Sequence, residues 1–439
     1  MIHASEPTAL TRPGAIVPDI SLASRLFDEL RRRTGGPGGI TRTSYGLGEQ
    51  IAHDMVRREA LRLGMRAETD AACNLYLTLE GETGGPAIMI GSHLDSVPSG
   101  GNFDGAAGVL AGLAVAAGFV AAGRRPPVDL TVMAVRAEES TWFGASYIGS
   151  RAAFGTLTSD ELDGVLRAGD RISLGAAIDA AGGDTARIRT GQPYLDPARI
   201  GLFLEPHIEQ GPVLVAEGLP IGLVTGIRGS FRHRHAACHG TYAHSGATPK
   251  SVRQDAVLAT SRLVVEMDAA WQALQDAGRD LAVTFGQSAT VPGEAAFSKV
   301  AGRTDFALDV RSEDSETLDV MRAELRRIAG RIEQQEGVRF EFGPETGSTP
   351  AKMNPAVIAE MAVLTERLDV PARAISCGAG HDAAVFARQG VPTAMVFIRN
   401  RNGSHNPDEA MEIADFAKAA EVIAALCETW GSADTAAAA

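Results

Sequence analysis

The chain has 439 residues, of which 45% are hydrophobic and 22% charged, so it has ample material for a core and a length that suits two or three domains. Its formal net charge of −13 at pH 7 argues against a nucleic-acid partner and an anionic membrane partner, because both require clustered Lys and Arg. Four widely spaced cysteines without a C-x-x-C pair argue against a disulfide framework and a structural zinc knot.

The N-terminal part of the chain predicts alternating helices and strands. Residues 1–20 are expected to form an irregular arm; they lack the basic start and apolar stretch of a signal peptide, and no run reaches the ~20 apolar residues of a membrane span, so we expect a cytoplasmic protein. The apolar pattern then predicts a helix over 47–63, strands over 74–79 and 86–92, a helix over 103–122, a strand over 128–135 and a helix over 145–153. This order indicates an α/β sheet with helices on its faces.

The order of the predicted elements changes after Gly211-Pro212, from alternating strands and helices to pairs of strands followed by a helix. Strands are predicted over 220–228, 230–239, 281–291, 304–311 and 338–343, with helices over 251–276 and 315–335. Beyond Gly347-Ser348, a helix over 356–368, a strand over 393–398 and a helix over 413–430 complete the first sheet. We therefore expect a catalytic domain of residues 1–213 and 347–439, interrupted by an inserted α+β domain of residues 214–346.

The motif GSHLDSVPSGGNFDG, at residues 91–105, begins where a buried strand is predicted to end. In open α/β sheets, ligands bind beyond the carboxyl ends of strands, so His93 lies where a metal ligand would. Asp95 lies two residues after His93, close enough to hold its other ring nitrogen. The loop that follows brings Asp104 back to the same place, just before a predicted helix, where its carboxylate can bridge two metals. The alternative interpretation is an ordinary turn followed by a helix N-cap.

Two adjacent acids, Glu138 and Glu139, follow the predicted strand over 128–135. Neighbouring side chains on an extended segment point in opposite directions, so one carboxylate can bind metal while the other faces the substrate as a proton shuttle. Two acids at the end of a buried strand are costly unless they are paired with metal or protons, although a solvated loop is the alternative.

Two more histidines lie close behind predicted apolar runs. His207 belongs to LEPHIEQGPVL, and His405 lies in the loop NGSHNPDEAM after the strand over 393–398. With the earlier histidine and carboxylates they form a set of nitrogen and oxygen donors without thiolates, which suits Zn, Mn, Co or Ni.

In combination, these motifs resemble the carbamoylase/allantoate-amidohydrolase branch of the zinc aminoacylase and aminopeptidase superfamily. The resemblance covers residues 40–428 and rests on GSHLDSVPSGGNFDG, the EE pair before WFG and GSRA, PHIEQGPVL, AHSGATP, GAGHDA and GSHNPDE. It implies a two-metal, aminopeptidase-like mixed-sheet catalytic domain with an inserted ferredoxin-like α+β lid and dimerisation domain. It also implies a homodimer that acts on a small substrate bearing a carboxylate.

The resemblance implies a role for each matching residue. One divalent metal would be bound by His93, Asp104 and His207, and a second by Asp104, Glu139 and His405, with Glu138 as general base and acid. His244 would stabilise the oxyanion. Asp95 and Asp382 would hold the metal-binding side chains in place without binding a metal themselves. Substrate contacts are implied for Gln210, Ser298, Arg311 and His381. Because the inserted domain carries His244 and Arg311, we expect it to close about hinges near Gly211-Pro212 and Gly347-Ser348.

The chain departs from the family pattern at two places. Ser298 stands where relatives typically carry Asn, and EESTWF, with Ser140 and Trp142, replaces E-E-G-x-R-F. Both changes bear on the pocket for the substrate, while the metal-binding pattern is intact. The expected substrate is an N-carbamoyl L-amino acid, followed by allantoate and then an N-acyl amino acid.

Two alternatives belong to other functional classes. One is a metal-free thiol amidase that uses Cys377, four residues before His381; the other is a non-catalytic relative of the fold. The run Arg232-His233-Arg234-His235 is interpreted as a solvated or dimer-facing strand, because its side chains alternate between the two faces of the sheet.

Overall fold

The computed structural model describes residues 14–430, so most of the predicted arm at 1–20 lies outside the described residues. The chain divides into two compact units. The first contains the chain up to Thr225, Met353–Ile375 and the chain from His381 onward, and the second contains Gly226–Lys352 and Ser376–Gly380. Within residues 14–430, no helix is both long and apolar enough to cross a membrane.

Each strand and helix predicted from the apolar pattern has a counterpart in the structure, which adds others, among them a helix at Ile20–Thr34 and a strand at Ile200–Ile208. The strands are β1 Gly35–Gly36, β2 Gly39–Ile40, β3 Arg66–Thr69, β4 Leu75–Leu79, β5 Ala87–His93, β6 Leu130–Val135, β7 Ile200–Ile208, β8 Ile221–Ile227, β9 Gly229–His239, β10 Ala243–His244, β11 Ala282–Thr290, β12 Lys299–Val300, β13 Arg303–Ser312, β14 Arg339–Glu341, β15 Glu345–Ser348, β16 Ala351–Lys352, β17 Ala372–Cys377, β18 Thr393–Ile398, β19 Asn400–Arg401 and β20 Ala410–Met411. The helices are α1 Ile20–Thr34, α2 Leu47–Arg62, α3 Ala106–Ala121, α4 Ser140–Phe143, α5 Ile148–Ala153, α6 Ser159–Gly164, α7 Leu174–Ala180, α8 Thr185–Ile188, α9 Val213–Glu217, α10 Ala256–Asp276, α11 Ser315–Glu336, α12 Pro355–Arg367, α13 Ala383–Arg388 and α14 Ile413–Thr429.

A mixed sheet forms the centre of the first unit. Its strands lie in the order β8-β18-β7-β5-β6-β4-β3, and β17 also pairs with β8. The four central strands β18, β7, β5 and β6 are parallel to one another, whereas β8, β4 and β3 pair antiparallel with their neighbours. The parallel strands therefore share one edge at their carboxyl ends, where α/β sheets bind ligands.

Helix α3 packs closely on the sheet because it is built largely of small residues. Every residue from Ala106 to Phe119 is buried, in one apolar core with α1, α2, α14 and strands β4 to β6. A side chain at Gly108 would place its Cβ only 2.2 Å from the carbonyl oxygen of Pro206, so glycine is needed where the helix crosses β7. This close packing holds the start of α3 against the ends of the parallel strands.

The second unit is an α+β fold with its own core. An antiparallel sheet has the order β11-β13-β9-β14, with β15 also paired to β9. Side chains alternate between buried and partly exposed along β13, and α10 and α11 contribute to the buried cluster around Phe306, Leu308 and Val310. One face of the sheet is thus covered by helices, and its other face carries polar side chains.

Candidate metal centre

Four parallel strands carry the predicted ligands to one edge of the first sheet. β5 ends at His93, which pairs with Val135 near the end of β6, and β7 carries His207, which pairs with Phe397 of β18. Glu138 and Glu139 lie three and four residues after the end of β6, and His405 lies in the loop between the short strands β19 and β20 that follow β18. The strand register therefore explains how residues far apart in sequence converge.

The first ligand group consists of His93, Asp104 and His207, all buried. Asp104 Oδ1 lies 3.4 Å from His93 Nε2 and 3.2 Å from His207 Nε2. His207 Nδ1 lies 2.8 Å from the carbonyl oxygen of Ile208, and its Nε2 accepts a hydrogen bond of 3.1 Å from the backbone N–H of Gly105. Because Nδ1 can donate to the Ile208 carbonyl, Nε2 is the unprotonated nitrogen, which is the one able to serve as a metal ligand.

Asp95 lies against the ring of His93. His93 Nδ1 lies 3.1 Å from the Asp95 carbonyl oxygen and 3.3 Å from its Oδ1, which leaves Nε2 facing Asp104. Burial alone lowers the pKa of His93, but the hydrogen bonds with Asp104 and Asp95 raise it well above the ordinary value of histidine. A proton and a metal cation therefore compete for the same nitrogen.

The second ligand group shares Asp104 with the first and adds Glu139 and His405. His405 Nε2 lies 3.4 Å from Glu139 Oε1 and 3.5 Å from Asp104 Oδ2, on the opposite carboxylate oxygen from the one that faces His93 and His207. The half-exposed ring of His405 opens this group to solvent. Asp104 thus stands between two ligand groups, as a bridging carboxylate would.

Glu138 lies beside both groups. Its Oε2 is 3.9 Å from His93 Nε2, and it forms a third ligand-capable group with His93 and Glu139. Burial raises the pKa of Glu138 well above the ordinary value of a carboxyl group, and the charges of Glu139 and Asp382 raise it further, against the opposing effect of His93. Its surroundings therefore favour the protonated form of Glu138 more than water does.

The donor atoms of the cluster fit divalent cations. They are imidazole nitrogens and carboxylate oxygens without a thiolate, which suits a catalytic Zn, Mn, Co or Ni site. Buried Glu139 Oε1 makes no hydrogen bond, although a buried carboxylate oxygen needs a partner. A cation between Glu139, His405 and Asp104 would satisfy it.

Gln210, predicted to contact the substrate, reaches the cluster itself. Its Nε2 donates a hydrogen bond of 2.8 Å to Asp104 Oδ2, and its backbone has a left-handed φ of +62°. The backbone N–H of Gln210 is held at 2.9 Å by Asn400 Oδ1. The structure therefore brings Gln210 together with the predicted metal ligands.

His381 and Asp382 lie beneath the cluster and are fully buried. The ring centroid of His381 is 4.3 Å from that of His207, neither nitrogen of His381 has a hydrogen-bond partner, and burial holds its pKa well below the ordinary value. Asp382 accepts a hydrogen bond of 2.5 Å from Ser150 Oγ, and burial raises the pKa of Asp382 to about 8.

The remaining predicted site residues belong to the second unit. His244 is exposed on β10, where its Nδ1 accepts hydrogen bonds from the N–H groups of Gly246 and Ala247 at 3.2 and 3.1 Å. His244 pairs with Lys299 in the neighbouring strand, which brings Ser298 beside it. Arg311, on β13, donates to Gly378 O at 2.7 Å and contacts Asp309 in the same strand.

Three supporting residues were not predicted from the sequence. Glu409 Oε1 accepts the backbone N–H groups of Phe103 and Asp104 at 2.8 and 3.2 Å, and Ser404 Oγ lies within hydrogen-bonding distance of both Asp104 Oδ2 and Glu409 Oε2. Glu205, buried in β7, accepts from Ser92 Oγ at 3.0 Å. The signal for Glu409 and Ser404 was their place in GSHNPDE, and for Glu205 a carboxylate within an apolar run.

The structure also places the residues behind the alternative interpretations. Cys377 is fully buried, and its Sγ lies 3.1 Å from the carbonyl oxygen of Ala379. In the predicted run of alternating Arg and His, Arg232 pairs with Asp309 at 3.3 Å and His233 Nδ1 contacts Phe342 O at 3.2 Å. Within residues 14–430, no ligand-capable group includes this run.

Comparison with known proteins agrees with the sequence motifs. Residues 89–429 match the model of Peptidase family M20/M25/M40. The N-carbamoyl-L-amino-acid amidohydrolase of Paenarthrobacter aurescens is 32% identical over 399 residues, which are 90% of this chain and 94% of that protein. The allantoate amidohydrolase of Escherichia coli (strain K12) is 31% identical over 389 residues, which are 88% of this chain and 92% of that protein.

A solved structure gives the same relationship. The hydantoinase/carbamoylase family amidase from Burkholderia multivorans matches with a TM-score of 0.83 at 28% identity, over 94% of this chain and 98% of that chain. This likeness confirms the predicted mixed α/β fold class. The chain therefore belongs to Peptidase family M20/M25/M40, within the carbamoylase and allantoate amidohydrolase branch that its motifs resemble, and is an amidohydrolase.

Proposed function

We propose that this chain hydrolyses N-carbamoyl L-amino acids at a carbon–nitrogen bond of the carbamoyl group, releasing ammonia, carbon dioxide and the amino acid. The observation that carries the proposal is the position of Asp104 between the group of His93 and His207 and the group of Glu139 and His405. The relative from Paenarthrobacter aurescens, named for this substrate class, supports it.

We assign two divalent cations to the cluster, one held by His93, Asp104 and His207 and the other by Asp104, Glu139 and His405. Zn, Mn, Co and Ni all suit these donors. When bound, such cations lower the pKa of a water molecule toward neutrality and polarise a carbonyl group. Asp95 fixes the tautomer of His93 for this purpose, and Glu409 holds the backbone N–H of Asp104.

Glu138 is proposed to move the proton. Its carboxylate lies beside His93 but belongs to neither of the two groups assigned to the cations, so it remains free for proton transfer. It takes a proton from the attacking water and returns it to the departing nitrogen, so that the carbon–oxygen bond forms and the carbon–nitrogen bond breaks without a net change in its charge.

The second unit is proposed to supply substrate contacts. The resemblance assigns the oxyanion to His244 and the substrate carboxylate to Arg311, whose planar guanidinium can make two parallel hydrogen bonds. Asp309 holds Nε and Nη2 of Arg311 and the Gly378 carbonyl accepts from Nη1, so a substrate carboxylate would bind to the remaining N–H groups of Nη1 and Nη2. Arg311→Lys is expected to raise KM more than it lowers kcat, because lysine cannot reproduce the two-pronged contact.

Allantoate is the second candidate substrate. The relative from Escherichia coli that is named allantoate amidohydrolase is nearly as similar to this chain as the carbamoylase relative. Both substrates present a carbamoyl group and a carboxylate, so the same cluster serves either reaction. The N-acyl amino acids are the third candidate class of substrate.

We also propose a homodimer through the inserted domain and a cytoplasmic location. β11 lies at an edge of the described sheet, and its sequence AVTFGQSAT contains neither a charged residue nor a proline, so its open edge can pair with another strand. The four cysteines are buried and none belongs to a C-x-x-C pair, which suits a reducing compartment. Sedimentation analysis tests the first proposal: a monomer at micromolar concentration would overturn it.

The deciding experiment is product release by the metal-free protein before and after addition of Mn, Co, Ni or Zn. Ammonia is followed for a panel of N-carbamoyl amino acids and allantoate, and amino acid for N-acetyl amino acids. We expect activity only with metal and best with an N-carbamoyl L-amino acid. Full activity in the metal-free protein would overturn the metal assignment, and preference for allantoate or an N-acyl substrate would replace the first candidate.

A further inference from the structure

The backbone directly before the acid pair is strained. Ala137 has a φ of +52°, in the left-handed region that residues other than glycine, asparagine and aspartate rarely adopt. It lies between the end of β6 and Glu138, so its conformation determines where Glu138 and Glu139 point. A strained residue of this kind persists only when its surroundings impose the conformation.

Glu49, a fully buried residue of helix α2, supplies that constraint. Its Oε1 accepts the backbone N–H of Ala137 at 2.9 Å. Its Oε2 accepts the backbone N–H of Tyr45 at 2.7 Å and Nη1 of Arg136 at 2.9 Å. One carboxylate therefore joins α2, the loop before it and the residue pair that precedes the acids.

Arg136 is held on all sides, so Glu49 binds to a rigid partner. Its Nη2 donates to Gln50 Oε1 at 2.6 Å, its Nε to Cys73 O at 3.1 Å, and its backbone N–H to Asn74 Oδ1 at 2.9 Å. Charge-assisted hydrogen bonds of this length are among the strongest in proteins. The Glu49–Arg136 pair is thus a fixed anchor for the turn.

A second buried carboxylate, that of Asp95, accepts hydrogen bonds from the two backbone N–H groups that follow Ala137. Asp95 Oδ1 accepts the backbone N–H of Glu138, and Asp95 Oδ2 accepts that of Glu139, both at 3.2 Å. Three consecutive backbone N–H groups, from Ala137 to Glu139, are therefore bound by two buried carboxylates. Asp95 also contacts His93, so the turn is aligned with the ligands on β5.

We propose that Glu49 is a positioning residue for the metal cluster: it holds Ala137 in the left-handed conformation and thereby directs Glu138 and Glu139 toward the cations. The inference rests on the proposed two-metal function. Glu49 touches neither substrate nor metal in this assignment and acts only through the turn. Its effect should therefore appear in metal affinity and kcat, and little in KM.

The test is titration of metal-free protein with Mn²⁺, alongside steady-state kinetics at saturating Mn²⁺. We expect Glu49→Gln to weaken Mn²⁺ binding by about 10–100-fold, as outer partners of metal sites typically do, and to lower kcat by a similar factor. KM should change by less than about threefold. Glu59→Gln, on the same helix but paired with Arg58 and Arg62 near the surface, is the matched control.

Rescue separates positioning from general stability. Ala137→Gly removes the strain, because glycine adopts positive φ freely, so the Glu49→Gln/Ala137→Gly double variant should recover most of the lost Mn²⁺ affinity. A folded Glu49→Gln variant with wild-type Mn²⁺ affinity would overturn the proposal. Loss of affinity without rescue would also overturn it, because Glu49 would then act through stability alone.

If Glu49→Gln leaves too little folded protein, Glu49→Leu/Arg136→Met replaces it, since removing both charges leaves none buried without its partner. Wild-type Mn²⁺ affinity in this double variant would overturn the proposal, and the predicted loss would support it. The titration uses no substrate. It therefore still decides about Glu49 if the wild type hydrolyses no carbamoyl compound and the proposed function fails.

Discussion

Glu138 and Glu139 are neighbours in sequence, yet the structure gives them different surroundings. Glu139 Oε1 lies 3.4 Å from His405 Nε2, in the group of Asp104, Glu139 and His405 that is proposed to hold a cation, whereas Glu138 Oε2 lies 3.9 Å from His93 Nε2 and belongs to neither proposed cation site. Glu138→Gln should therefore lower kcat by about 10²–10⁴-fold, the usual contribution of a general acid–base, while Mn²⁺ affinity stays within a few-fold of wild type.

Glu139→Gln is the matched comparison for this prediction. It should weaken Mn²⁺ binding first, so that its kcat recovers in part at high metal concentration. Titration calorimetry and ammonia release measure the two effects separately. Equal losses of metal affinity in both variants would contradict the division of roles between the adjacent acids.

The cysteines give a prediction that separates this enzyme from a thiol amidase. All four are buried, and burial raises the pKa of Cys238 to about 11 and that of Cys427 to about 12. At pH 8 a thiol of pKa 11 is only about 10⁻³ ionised, and the thiolate is the nucleophile. The native protein should therefore show no fast-reacting thiol toward a disulfide reagent, and Cys377→Ala should keep wild-type kcat.

The unfolded chain serves as the control for the labelling experiment, because it should expose all 4 cysteines. A fast-reacting thiol in the native protein that disappears in Cys377→Ala, together with the activity, would revive the thiol amidase.

Among single residues, the sequence predicted which side chains come together in the cluster, but it did not predict the residues that hold them in place. His93, Asp104 and His207 stand in motifs whose spacing reflects the strand ends, so they could be recognised without a structure. Glu49 and Glu205 could not, because each acts through a partner distant in sequence that only the strand order brings near. An acid inside a helix or an apolar strand has no spacing signal of its own.

Among the elements, α3 shows how packing can outweigh helix propensity. Gly108 lies inside this buried helix, where an added Cβ would be 2.2 Å from Pro206 O and 2.7 Å from Ser92 Cβ. Gly108→Ala is therefore expected to lower the free energy of unfolding by about 1–3 kcal/mol through overpacking, although alanine is the better helix former. It should also disturb the ends of β5 and β7, where His93 and His207 lie.

Gly330→Ala is the control, because Gly330 lies inside α11 with no atom near an added Cβ. This change should raise the free energy of unfolding by about 0.5–1 kcal/mol through helix propensity alone. Urea denaturation of the two variants measures both values. Stabilisation by both substitutions would mean that α3 can move away from the sheet.

Two elements, α1 and β7, were not predicted from the sequence, each for a different reason. Helix α1, Ile20–Thr34, is an amphipathic helix with Leu22, Leu26 and Leu30 buried, but it follows a segment that reads as irregular. Strand β7, Ile200–Ile208, contains Glu205, Pro206 and His207, which weaken its strand signal. It is stabilised instead by pairing with β5 and β18 on both sides, a long-range effect that local propensity does not contain.

At the scale of the whole molecule, the chain has two separate cores. One contains the central sheet and α3, and the other lies between the second sheet and α10 and α11. The order of predicted elements after Gly211-Pro212 suggested an inserted domain of residues 214–346. The second compact unit of the structure begins at Gly226, ends this stretch at Lys352 and also contains Ser376–Gly380. A five-residue segment that joins a unit through tertiary contacts leaves no compositional signal.

Because the proposed metal ligands all belong to the first unit, metal binding should stabilise that unit alone. A ligand present at about 100 times its Kd stabilises the folded state that binds it by about 2.7 kcal/mol. Addition of Mn²⁺ to the metal-free protein should therefore raise the melting transition of the first core and leave that of the second unchanged, as differential scanning calorimetry can measure.

His207→Ala should abolish the shift, since it removes a proposed ligand, whereas His233→Ala in the second unit should preserve it. A shift that survives His207→Ala would place the metal elsewhere, and an equal shift of both transitions would mean that the two cores unfold as one.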